Sequence, residues 1–340
     1  TKAMEAGDTH YTSVAGDLEL RKCIAAKHQN STGQIVGLEN VLIASGAQNA
    51  LFNVTMCIAE PGDEIIVLQP MYVTYEATIQ APNATLIPVV LDETAGFRLD
   101  EKQLVDAITS RTTAIYFATP SNPTGIALNQ QELEVISRIA KENNLWVVSD
   151  EVYSDLVFDG DFYHIAALPG MAERTVTIGS MSKTFAMTGW RVGWAIGPAE
   201  LIANTEMVAL CMLYGLPGFI QKAAHYALLN CHDDAERMKS IYRKRRDNLF
   251  ERLSKIKGLR PLLPNAGMFL MLDVRGTGLS ATEFVNQLYQ QQAVSVLDAT
   301  AFGSSAAGYV RISFGIDDKE LNRACERIAN FVSSLSEEIR

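Results

Sequence analysis

"TTAIYFATPSNPTGIALNQQELEVISRIAKENNLWVVSDE" occupies residues 112–151. It opens on an apolar run at 112–120, crosses a turn marked by Pro and Gly, continues with a helical pattern, and closes on a second apolar run at 145–151. Short runs of this kind, rich in β-branched residues and bounded by Gly, Pro, Asp or Asn, read as buried strands. In the segment between them, Leu133, Ile136 and Ala140 fall on one helical face. Asn129 and Glu132 have the spacing of an N-terminal capping box. The same alternation extends outward in both directions. "VLIAS" (41–45), "DEIIVLQP" (63–70), "TLIPVVL" (85–91), "RTVTIGS" (174–180) and "WRVGWAIG" (190–197) read as further strands, with helices between them. Strands alternating with helices predict a mostly parallel sheet covered on both faces.

From about residue 233 the pattern changes. A long charged helix, "DDAERMKSIYRKRRDNLFERLSKI", is apolar at Ile241, Leu249 and Leu253 and suits a connector. "GMFLMLDV", a helix from about 280, "VSVLDAT", "YVRISFG" and a last helix from 318 follow. The expectation is an α/β chain, with a large domain over 1–232 and a smaller α+β C-terminal domain over 233–340.

The 340 residues amount to roughly two to three domain lengths, or one large α/β unit with a smaller one appended. Hydrophobic residues make up 48% and charged residues 20%, enough to build a sizeable core. The net charge of −10 makes nucleic acid and anionic membrane surfaces poor partners. No apolar run reaches the roughly 18 residues of a membrane span, and no signal-peptide pattern opens the chain. Cys23, Cys57, Cys211, Cys231 and Cys325 are scattered and lack CxxC spacing. They read as free thiols in a cytoplasmic setting, with no metal site expected. The chain opens on a helical-looking "TKAMEAGDTHYT", so a further segment ahead of Thr1 is expected.

In an open parallel sheet, ligands bind at the carboxyl ends of the strands. Asn122 follows one strand, Asp150 and Tyr153 follow the next, and Ser180, Ser182 and Lys183 follow a third. Polar groups thus gather at one end of the sheet. A lysine there could be a Schiff-base nucleophile or an ordinary solvated lysine. Asp150, after an apolar run, reads as half-buried and in need of a cation or a ring N–H. Tyr153 and Asn122 could donate to a phenolic oxygen, or be packing and turn residues. "SGAQNALF" (45–52) opens a helix whose first N–H groups, at Gly46, Ala47 and Gln48, could hold a phosphate. Ser180, Ser182 and the planar fork of Arg191 could complete the cup. Tyr72 could lie flat on an aromatic ligand. In "YVRISF", Tyr309, Arg311 and Ser313 share one strand face. Arg311 could grip a carboxylate or join a structural ion pair.

Taken together, "HYTSVAG", "TPSNPTG", "VSDEVYSDLVF", "SMSKTFAMTGWRVGW", "GMFLML" and "YVRISF" resemble the pyridoxal-phosphate-dependent class I/II aminotransferases of fold type I, over nearly the whole chain. The resemblance implies that pyridoxal 5'-phosphate is the cofactor and that Lys183 binds its aldehyde. Asp150 would pair with the ring nitrogen, Tyr153 and Asn122 with the ring 3-oxygen, and Tyr72 would stack on the ring. Gly46, Ala47, Gln48, Ser180, Ser182 and Arg191 would surround the phosphate, and Arg311 would take the substrate carboxylate. Tyr11 would reach the phosphate of the partner subunit, implying a homodimer with shared sites. A glycine near the substrate carboxylate would come from the segment ahead of Thr1. The substrates implied are an L-amino acid and a 2-oxo acid. "QPMYVTYEA", "VALCMLYGLPGFIQ" and "AFGSSAAGYVRIS" resemble the arginine–pyruvate branch, which makes arginine the first donor expected and pyruvate the acceptor. The helix after Tyr72 carries Gln80 and no Lys or Arg, which disfavours a dicarboxylic donor. A carbon–sulfur lyase would keep the same residues, and an aspartate-type enzyme most of them. A transcription regulator on this fold would need a basic DNA-binding domain, which these residues do not contain.

Overall fold

The computed structural model describes residues 1–338. Its principal sheet has seven strands: β1 (Val41–Ala44), β2 (Glu64–Gln69), β3 (Thr85–Val90), β4 (Thr112–Ala118), β5 (Trp146–Asp150), β6 (Thr175–Ser180) and β7 (Gly193–Ile196). They lie in the order β1-β7-β6-β5-β4-β2-β3. β2 through β6 are mutually parallel, and β7 runs against both β6 and β1. All six residues of β2 and all six of β6 are buried, as expected of a sheet with helices on both faces. The helix Gln130–Glu142 crosses from β4 to β5, burying Leu133, Ile136, Ile139 and Ala140. The Asn129 side chain accepts from the Glu132 amide at 3.0 Å, and Glu132 accepts from the Asn129 amide at 2.8 Å. This is the capping box read from the sequence.

A second sheet of four strands follows: β8 (Arg260–Pro261), β9 (Phe269–Asp273), β10 (Leu297–Asp298) and β11 (Tyr309–Ser313), in the order β10-β11-β9-β8. The helices Ala281–Gln292 and Asp318–Glu338 lie where the pattern placed them. On β11, Val310, Ile312 and the following Phe314 face the second core, while Tyr309 and Arg311 face the first sheet's side.

Two expectations need correction. The strand read over 190–197 begins only at Gly193, because Thr188–Trp190 form a 3₁₀ turn and Arg191 sits in the left-handed region at φ 55°. In the helix His232–Ser254, Leu249 and Leu253 are buried, but Ile241 is 39% exposed. Tyr242 takes the inward position, one residue on, because it stacks with Leu249 and Leu253 at helical spacing.

Candidate active site

Parallel pairing brings three strand ends together. Ala118 is in register with Asp150, and Asp150 with Ile178. The residues that follow these ends line a cavity of about 440 Å³. Ala47, Gln48, Tyr72, Asn122, Asp150, Tyr153, Ser180, Ser182, Lys183, Arg191 and Arg311 all line it. Gly46 lies directly behind, with Arg191 Nη2 2.4 Å from where its Cβ would stand. Tyr11 does not reach the cavity of its own chain. It is 86% exposed and packs on Tyr214, with ring centroids 4.9 Å apart.

The Lys183 amine has no hydrogen bond or ion pair among the described residues and stands 5.7 Å from the centre of the Tyr153 ring. Burial lowers its pKa, against the pull of Asp150, and Arg311 and Arg191 lower it further. A lysine held this way is more readily the free amine that attacks a carbonyl.

Asp150 is only 5% exposed, deeper than the half-buried position expected, because β5 is an interior strand. Burial pushes its carboxyl up to about 6, against a hydrogen bond from the Tyr75 hydroxyl at 2.7 Å and a weaker one from the Val152 amide at 3.3 Å. The next residue, Glu151, points the other way. It accepts from Ser149 Oγ at 3.0 Å and meets His164 Nδ1 at 2.6 Å. Strand alternation therefore gives Asp150, and not Glu151, to the cavity.

At the other end of the lysine turn, the helix Ala47–Ile58 begins at the cavity wall. Gly46, at φ 80° and ψ 168°, is its N-cap. Gly193 permits the approach, since a Cβ there would lie 2.5 Å from the Ala47 nitrogen. The Gly46 N–H is not free as expected, because it donates to the Ala44 carbonyl at 2.8 Å. The donors this end could offer an anion are therefore the amides of the first helical turn, from Ala47 onward. Arg191 donates to the Thr188 and Ser45 carbonyls at 2.8 and 3.3 Å, which sets its fork beside that turn. The Ser180 hydroxyl donates to the Val192 carbonyl at 3.2 Å and accepts from the Ser182 amide at 3.0 Å.

Arg311 reaches across from the second sheet. Its Nη1 donates to Asn122 Oδ1 at 2.8 Å, and its Nε is buried without a partner. Arg311 has no ion pair among the described residues, which tells against the structural ion pair, and its Nη2, with no hydrogen bond there, is left for an anion. With its carbonyl given to Arg311, Asn122 keeps its amide NH₂ as a donor. Burial pushes the Tyr153 hydroxyl up, so it is a donor at neutral pH. Gln80 is exposed and bonded to Glu76 at 3.4 Å, off the cavity wall, so that position does not contact what the cavity holds.

Sequence reasoning missed Tyr75, which holds Asp150, and Phe269 and Phe302, whose rings lie 4.0 and 5.0 Å from the Arg311 guanidinium carbon. No local pattern marks them. Tyr75 reads as an ordinary helical aromatic, and both phenylalanines read as core.

The cavity has the donor set of an anionic aromatic cofactor. Helix amides and Arg191 suit a phosphate, Asp150 a ring N–H, Tyr153 and Asn122 a phenolic oxygen, and Lys183 an aldehyde. The Arg311 guanidinium, without an ion pair among the described residues, suits a substrate carboxylate. A model of the family described as aminotransferase class I and II matches residues 2–328. The arginine–pyruvate transaminase of Pseudomonas aeruginosa is 48% identical over 324 residues, covering 95% of this chain and 82% of that protein. The aspartate aminotransferase of Pyrococcus horikoshii is 32% identical over 329 residues, covering 96% and 84%. Among solved structures, the aromatic aminotransferase from Pyrococcus horikoshii superposes with a TM-score of 0.95 at 32% identity, covering 98% of this chain and 90% of that one.

Proposed function

Since the chain belongs to the class I and II aminotransferase family, we propose that it moves the amino group of an L-amino acid, arginine first, to pyruvate, with pyridoxal 5'-phosphate as cofactor. The observation that carries this reading is the unpaired Lys183 amine in one cavity with the buried Asp150 carboxylate and the Arg311 guanidinium, which has no ion pair among the described residues. When bound, the cofactor supplies the electron sink that lets the substrate α-proton leave. Asp150 would keep the ring nitrogen protonated. Its buried carboxylate gains most from a cationic partner, which would also return its pKa toward the ordinary range. The first amides of the helix Ala47–Ile58, with Arg191, Ser180 and Ser182, would hold the phosphate. Tyr153 and Asn122 would donate to the ring oxygen, and Tyr72 would cover the ring face. Arg311 would take the α-carboxylate and so aim the α-hydrogen at Lys183. The Lys183 amine would then accept that proton and return it one position along, as general base and acid.

Arginine and pyruvate come from the likeness to the Pseudomonas aeruginosa transaminase. A homodimer with Tyr11 acting in the partner's site is part of the proposal. It is supported by the exposed Tyr11–Tyr214 pair and by the exposed Met212 and Leu213 beside it. The division at 232/233 is supported by two separate sheets, the seven-stranded one formed wholly before it and the four-stranded one wholly after it. No helix among the described residues is long and apolar enough to cross a membrane. The scattered free thiols favour a reducing, cytoplasmic setting.

The test is a panel of amino donors against pyruvate and 2-oxoglutarate with the cofactor-loaded protein, using Lys183→Ala as control. The expected result is arginine-dependent formation of alanine, lost in the control. Aspartate or glutamate ahead of arginine by about tenfold in kcat/KM would overturn the donor assignment. Release of ammonia with pyruvate and no new amino acid would replace transfer with a lyase.

A further inference from the structure

Arg311 stands between two aromatic rings. The Phe269 and Phe302 ring centres lie 4.0 and 5.0 Å from its guanidinium carbon, and both rings line the cavity. Phe269 belongs to β9, which pairs with the strand that carries Arg311. Phe302 does not belong to a strand. It ends the 3₁₀ turn Ala299–Phe302, which is capped by Asp298 through the Thr300 amide at 2.9 Å.

That turn is fastened to the first sheet. The Phe302 carbonyl accepts from the Met71 amide at 2.9 Å. The next residue, Gly303, has φ 121°, and a Cβ on it would fall 2.4 Å from the Gln69 side chain. Only glycine lets the turn lie this close to the end of β2. Met71 immediately precedes Tyr72, which also lines the cavity. One residue therefore meets the guanidinium with its ring and the Tyr72 segment with its carbonyl.

A guanidinium between two π faces is held in one plane and is attracted to both. Asn122 Oδ1 accepts from Nη1 at 2.8 Å, which orients the rest of the fork in the cavity. A carboxylate binds bidentately only to a fork held in the right plane. We infer that Phe302 is a positioning residue for the substrate carboxylate: its ring fixes the plane of the Arg311 fork, and its carbonyl ties that fork to the Tyr72 segment. This rests on the reading of Arg311 as the carboxylate grip. It adds a residue that does not itself touch the reacting atoms.

The experiment uses the cofactor-loaded protein with Phe302→Leu, which keeps an apolar side chain of similar bulk. Two quantities are read: the KM and kcat for donor and acceptor, and the equilibrium constant for propionate, a carboxylate with no amine, by calorimetric titration. The expected result is a rise of about tenfold in KM for both substrates and in the propionate constant, with kcat changed less than about twofold. In an Arg311→Lys background, the same substitution is expected to have almost no further effect, because the planar fork is gone. A purely packing role for Phe302 would lower the melting temperature and act equally in both backgrounds, and that result overturns the inference. So does an effect confined to kcat. Should Phe302→Leu not fold, Phe269→Leu tests the same pair of rings by the same criteria. If the wild-type protein transfers no amino group but binds propionate with this pattern, the proposed reaction fails and the role of Phe302 stands.

Discussion

The two ends of the cavity are built in different ways. At the lysine end, Ser180, Ser182, Lys183 and Arg191 come from a single turn between neighbouring strands β6 and β7. Ser180 and Ser182 are set by hydrogen bonds over a few residues, such as the Ser182 amide to Ser180 Oγ at 3.0 Å, while Arg191 is also bonded to the Ser45 carbonyl at 3.3 Å. At the carboxylate end, Arg311 meets Asn122 across 189 residues, between two sheets. Asp150 lies between these extremes, held by Tyr75 from 75 residues away. The part at 180–183 can form as soon as its hairpin forms, and Arg191 meets the helix Ala47–Ile58 once β1 pairs with β7. The assembled end exists only when both sheets are packed, so it is the end that packing changes can detune.

The largest effect is expected at the point where the two kinds of construction meet. Asp150→Asn should retain cofactor and lose turnover by roughly a hundredfold or more, since a neutral amide does not keep the ring nitrogen protonated. Single-turnover rates measure this, and a near-normal rate would mean that Asp150 serves packing only. The same variant has a pH signature in the cofactor-free protein. The folded carboxyl is raised to about 6 from an ordinary value of 3.8, so the folded state holds its proton more tightly than the unfolded state. Ionising it costs stability, and that cost grows as pH rises from about 4 to about 6 and is constant above. Asp150→Asn should therefore gain on the wild type over this interval, by about 3 kcal/mol. Denaturant titrations at several pH values would detect it, and parallel curves for the two proteins would refute it.

A smaller effect is expected at the local end. Gly46→Ala puts a Cβ against Arg191 Nη2 and places alanine at φ 80°, which an L side chain rarely adopts. Cofactor affinity should fall about tenfold by equilibrium dialysis, with the donor preference unchanged. If the affinity holds and the donor preference moves, the two ends are not as separate as described.

The smallest effect concerns the long-range support of Asp150. Tyr75→Phe removes a hydrogen bond that lowers the carboxyl pKa against burial, so that pKa should rise above about 6. The acid limb of kcat/KM should move to higher pH, with a rate loss of about three- to tenfold near neutrality. An unmoved profile would reduce Tyr75 to a packing residue.

Legibility in the sequence follows the same division. The apolar runs at 63–70, 112–120, 145–151 and 174–180 are visible because a parallel strand buried on both faces needs continuous apolar residues, and the run at 85–91 is visible although its strand is a largely uncovered edge. The capping box at Asn129 and Glu132 was visible because it is local chemistry. Lys183, Asp150 and Asn122 could be grouped because the fold class puts strand ends on one edge, and the resemblance gave each of them a role. The strand expected from Trp190 was misread because a short aromatic and β-branched run does not reveal that Arg191 adopts φ 55°. Ile241 was misread because one residue of helical phase turns a side chain from core to solvent.

The sequence by itself determined which segments are strands and helices, their parallel alternation, and the chemical groups delivered to the strand ends, since these depend on periodicity and on neighbours a few residues apart. Only the tertiary structure decided that Tyr75 holds Asp150, that the Gly46 amide is already taken, and that Phe269 and Phe302 enclose Arg311. Tyr75 and Asp150, and Phe269 and Arg311, lie far apart in the chain and meet only through packing. The Gly46 bond to Ala44 and the approach of Phe302 to Arg311 span few residues, but each depends on the backbone path that packing imposes, and no local pattern of residue types encodes that.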